Sequence, residues 1–94
     1  MEINGYCDDK FSSVLGAFED NFENHDEVGA SFAASVEGEI VVDIWAGHLE
    51  REKINTWNED TIVSTASITK TMAAISALIL ADKGELDLDA PVIN

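Results

Sequence analysis

The sequence predicts an α+β fold built from an N-terminal helix, an antiparallel β-hairpin and a buried helix. Three observations predict it. An apolar stripe with a helical period runs through "DDKFSSVLGAFEDNFENH", and a period-two alternation runs through "VGASFAASVEGEIVVDIWAGHL". A nearly unbroken apolar run follows in "TMAAISALILADKG".

The first helix spans residues 8–25. Phe11, Val14, Leu15, Phe18 and Phe22 recur at steps of three and four, which lays one apolar stripe along a helix. Asp8 or Asp9 caps its start, where a carboxylate suits the positive end of the helix dipole.

The hairpin covers residues 28–48. Val28, Ala30, Phe32, Ala34 and Val36 alternate with Gly29, Ser31, Ala33 and Ser35, and the small-residue face predicts a helix packed closely against it. After a turn at Glu37–Gly38, Ile40, Val42, Ile44 and Ala46 repeat the alternation. Asp43, inside this β-branched run, reads as a satisfied edge acid, and Trp45 and Trp57 as packing residues. The polar "LEREKINTWNED", residues 49–60, is a surface connection, and "TIVST" leads into the last helix.

That helix covers residues 67–83 and ends at Gly84, ahead of a loop with Pro91. Ile68, Met72, Ile75 and Ile79 form one face, Ala74, Leu78 and Ala81 the next, and Leu80 a third. A helix apolar on every side belongs inside a larger body, and a lone hairpin is marginal without more strands or a covering layer. The 94 residues are therefore expected to be the front part of a larger domain.

Charge and cysteine usage exclude several roles. With 5 Lys and Arg against 19 Asp and Glu, the chain carries a net charge of −14 and repels phosphate backbones and anionic lipid. Nucleic-acid and membrane partners are not expected. The run from Met72 to Ala81 is half of the roughly 20 residues that a bilayer span needs. Cys7 is the single cysteine, and "MEINGYCDDK" shows no basic start followed by an apolar stretch, so a cytoplasmic protein is expected. His25 and His48 stand beside acids without a spaced third ligand, so no metal is implied, nor any organic cofactor.

Ser67 and Lys70 carry the chemistry. Three positions apart on a helix, they lie about 60° apart around its axis and one turn along it. A serine hydroxyl is a poor nucleophile until a neighbour takes its proton, and a lysine takes it only when uncharged. Apolar burial and the positive end of a helix both disfavour the charged amine. The Ser67 N–H at the helix start is also placed to donate to an oxyanion. Spacing alone is weak evidence, because seven serines and four lysines make a chance Ser-x-x-Lys roughly a one-in-four event. The competing reading is a capping serine and a lysine reaching out to solvent.

The surroundings of the motif add weight. "STASITKTMAAISALILADKGELDLDAPV" resembles the active-site segment of the serine β-lactamase superfamily, within the branch of class C β-lactamases, D-alanyl-D-alanine carboxypeptidases and β-lactamase-like carboxylesterases. "VGASFAASVEGEIVVDIWAGHLE" and "NEDTIVSTAS" are similar to the esterase-type members. The resemblance implies that Ser67 is the acylated nucleophile, that Lys70 is its proton acceptor or activating hydrogen-bond partner, and that the Ser67 N–H is half of the oxyanion hole. It implies a five-stranded antiparallel sheet flanked by helices, of which these residues supply the first part. The substrate would be a small ester or lactam.

The family pattern also includes a downstream Tyr-x-Asn element and a Lys/His-x-Gly strand. Neither occurs here, and Tyr6 is the only tyrosine. The expectation is a partial β-lactamase-related domain over residues 1–94, inactive alone and dependent on the rest of the fold or an equivalent partner. The alternative is a catalytically incomplete fragment or non-enzymatic interaction module.

Overall fold

The structure is a computed structural model that describes residues 2–93. They fall into two compact units that meet in sequence between Thr61 and Ile62, each considered by itself below.

The first unit is a three-stranded antiparallel sheet with a helix on one face. Its elements are β1 (Ile3–Cys7), a 3-10 turn (Asp9–Phe11), α1 (Ser12–Asn24), β2 (Gly29–Val36) and β3 (Glu39–Gly47). The strand order is β1-β3-β2, so β3 is central. The expected hairpin is present as β2 and β3, and its turn has φ of 53° at Glu37 and 84° at Gly38. Two positive angles in a two-residue loop match the right-handed twist of the flanking strands, and glycine meets one of them without steric cost.

Three details depart from the sequence reading. β1 extends the hairpin to three strands, with Ile3 opposite Ala46 and Cys7 opposite Val42. This moves Asp43 from a supposed edge to the central strand, half-buried between Tyr6 and Ala33. The alternation in β3 also slips. Ala34 pairs with Val42 but Ser35 pairs with Ile40, leaving Val41 as an extra residue. Such a bulge shifts the side-chain period by one. Ile40 is consequently 61% exposed, while Val41 packs against the core. Finally, the face bearing Ser31, Ala33 and Ser35 is exposed, and the residues that pack with the core helix are Ala30 and Ala34. Alanine too is short enough to admit a close helix.

The core consists of Phe18, Val42, Ile44 and Ala46, ringed by Ile3, Cys7, Phe11, Val14, Leu15 and Phe22. The apolar stripe of α1 thus faces the sheet as its spacing requires. The Phe18 and Phe22 rings meet at 5.3 Å with a 58° tilt, a favourable aromatic arrangement. The helical segment begins later than its pattern, since a 3-10 turn precedes α1. Asp8 caps that turn by accepting the Lys10 N–H at 2.9 Å. The connection after β3 is ordered by Glu50, whose Oε1 accepts the N–H groups of Ile54 and Asn55 at 2.7 and 2.6 Å.

The second unit holds α2 (Ile68–Asp82) and the segment after it. Its end is a Schellman motif. The Glu85 N–H donates to the Leu80 carbonyl at 2.9 Å, the Gly84 N–H donates to that of Ala81 at 3.0 Å, and Gly84 has φ of 75°. The burial predicted for α2 is not found, for none of its residues is buried. Met72, Leu78 and Ile79 are all more than half exposed. The apolar pattern is present, but residues 62–93 contain no second layer to cover it. No helix among the described residues is long and apolar enough to cross a membrane.

Candidate active site

Ser67 is the N-cap residue of α2, and its backbone is unusual. Its φ of 63° and ψ of 2° place a non-glycine residue in the left-handed region. An L-residue there costs about 1–2 kcal/mol relative to right-handed helix. Such strained residues cluster at functional sites, where the surrounding structure holds them in place.

The conformation has a chemical consequence. The Ser67 side chain makes no capping hydrogen bond to the helix backbone. The hydroxyl is left for another partner, and Lys70 reaches it: Nζ donates to Oγ at 3.4 Å. The Lys70 N–H meanwhile donates to the Ser67 carbonyl at 3.1 Å, closing the first turn and fixing the one-turn offset between the two side chains. No backbone carbonyl among the described residues takes the Ser67 N–H, which is open to an incoming acceptor. The capping-serine reading is therefore disfavoured by the geometry, while Lys70, though in reach of the hydroxyl, is exposed. The pair is long for a hydrogen bond, and unliganded catalytic contacts commonly tighten only when substrate binds.

One part of the expectation does not hold in this unit. Lys70 is exposed, so the apolar burial expected around the amine is not supplied by the described residues. The reason is the same as for α2, whose apolar sides lack a covering layer.

The other candidates belong to the first unit. Tyr6 lies on β1 in the first unit, 55% exposed. His25 faces Asp20, with Nε2 at 3.2 Å from Oδ2, on an open surface. His48 forms an isolated bridge with Thr56. Among the described residues no three His, Cys, Asp or Glu side chains gather to hold a metal ion. The feature that sequence reasoning missed is the left-handed turn at Ser67. No residue type signals it, because serine has no preference for that region.

The left-handed serine that opens α2 with a lysine one turn on, and the antiparallel sheet backed by a helix in the first unit, agree with the resemblance to the esterase-type serine β-lactamase-related family. The Beta-lactamase family model matches residues 16–94, and the chain belongs to that family. It is 35% identical over 90 residues to Esterase/beta-lactamase LipL of Mycobacterium tuberculosis (strain ATCC 25618 / H37Rv), covering 96% of this chain and 21% of that protein. Against Esterase EstB of Burkholderia gladioli it is 42% identical over 65 residues, covering 69% of this chain and 17% of that one. The crystal structure of a family VIII carboxylesterase superposes with a TM-score of 0.89 at 46% identity, over 96% of this chain and 24% of that one. A penicillin-binding protein homolog from Caulobacter crescentus gives a TM-score of 0.85 at 39% identity, over 95% of this chain and 24% of that one. The chain thus spans about a sixth to a quarter of the length of these proteins, and its fold is the corresponding part of a β-lactamase-type fold.

Proposed function

We propose that this chain carries the nucleophile of a carboxylic-ester hydrolase, with Ser67 as the acylated residue and Lys70 as its proton acceptor. The observation that carries the reading is the Lys70 Nζ contact at 3.4 Å to a Ser67 hydroxyl that serves no helix cap. In the reaction, Ser67 Oγ bonds to the ester carbonyl carbon as its proton passes to the Lys70 amine. The carbonyl oxygen becomes an oxyanion that the Ser67 N–H receives. Collapse breaks the bond to the alcohol, which takes the proton back from Lys70; water then attacks the acyl carbon, the bond to Ser67 Oγ breaks, and one water proton returns to Oγ as the acid leaves.

An ester is favoured over a lactam because three of the four similar proteins are named as esterases or as a carboxylesterase, one of these jointly as a β-lactamase, while the fourth is a penicillin-binding protein homolog. The activity belongs to an assembled fold. With no buried residue in α2, the 94 residues alone are expected to be inactive and to need the rest of the fold or an equivalent partner. A second reading, a non-catalytic interaction module, draws on that same exposed helix.

The test is a chimera in which residues 1–94 replace the matching quarter of the family VIII carboxylesterase. A fluorophosphonate probe is expected to label it at Ser67, as mapped by mass spectrometry, and Ser67→Ala is expected to remove the labelling. A folded chimera, with a cooperative melting transition, that stays unlabelled would rule out the hydrolase reading.

A further inference from the structure

No further inference is drawn: the strongest candidate, the uncharged outer edge of β2 with the groove that Val14, Phe18 and Phe32 line beside it, is an unpartnered apolar surface, and nothing in the structure shows what covers it.

Discussion

Replacing Lys70 by alanine and by arginine, in the chimera described above, separates a base from a mere hydrogen-bond donor. Lys70 Nζ lies 3.4 Å from Ser67 Oγ, slightly beyond the range for direct proton transfer, so the proposed transfer requires a small contraction. A general base of this kind contributes about 10²–10⁴-fold to rate. That range corresponds to about 2.7–5.5 kcal/mol of barrier. Lys70→Ala should lose that amount. Lys70→Arg should lose nearly as much, because a guanidinium donates hydrogen bonds but stays charged and accepts no proton. The assay is the second-order rate of labelling by the fluorophosphonate probe, with urea denaturation of each variant as the folding control. If the arginine variant keeps its rate within tenfold of the lysine protein while remaining folded, Lys70 is not the base.

The strain at Ser67 gives a second expectation: Ser67→Gly should make the chimera more stable than Ser67→Ala. Both variants lack the hydroxyl, but only alanine keeps a Cβ in the left-handed region. Relief of about 1–2 kcal/mol less roughly 0.5–1 kcal/mol of extra glycine entropy leaves a net gain of up to about 1.5 kcal/mol, and a lower urea midpoint for the glycine variant would contradict it. In the first unit, Ile44→Ala should cost about 2–5 kcal/mol because Ile44 is only 2% exposed at the centre of the core. With four buried side chains in that core, near-ultraviolet circular dichroism of Trp45 should report loss of fixed packing, and an unchanged spectrum and midpoint would count against the core assignment. Gly84→Ala should loosen the end of α2 by about 1 kcal/mol, purely through its φ of 75°, because a Cβ there meets nothing within 4 Å. Faster amide exchange at Gly84 and Glu85 is the readout, and unaltered exchange would contradict the Schellman assignment. Asp8→Ala should cost about 1 kcal/mol through loss of the bond to the Lys10 N–H, measured as a lower urea midpoint for the first unit.

Several features were legible in the sequence because they depend on neighbours a few residues apart. The stripe of Phe11, Val14, Leu15, Phe18 and Phe22 faces the sheet, as its spacing required. Glu37–Gly38 forms the turn, and Gly84 closes α2. Other features were not legible. β1 is five residues long with Gly5 at its middle, a weak strand signal, and it becomes a strand only by pairing with residues 42–46. The bulge at Val41 likewise appears only once Ala34 and Ser35 are set against β3, and it places Ile40 outside the core that its parity suggested.

The sequence by itself determined the stripe of α1, the β2–β3 hairpin with its turn, the stop of α2 at Gly84, the one-turn spacing of Ser67 and Lys70, and the resemblance that the Beta-lactamase match bears out. Periodicity and turn sterics act over a few adjacent residues, so they can be read from the string. Only the folded chain decided which strand is central, where β3 bulges, and that Ser67 turns left-handed so that its hydroxyl leaves the helix cap for Lys70. These outcomes rest on pairing between distant segments, or on a backbone angle that no side chain at that position prefers. Both are set by the sum of contacts around a residue rather than by its own identity.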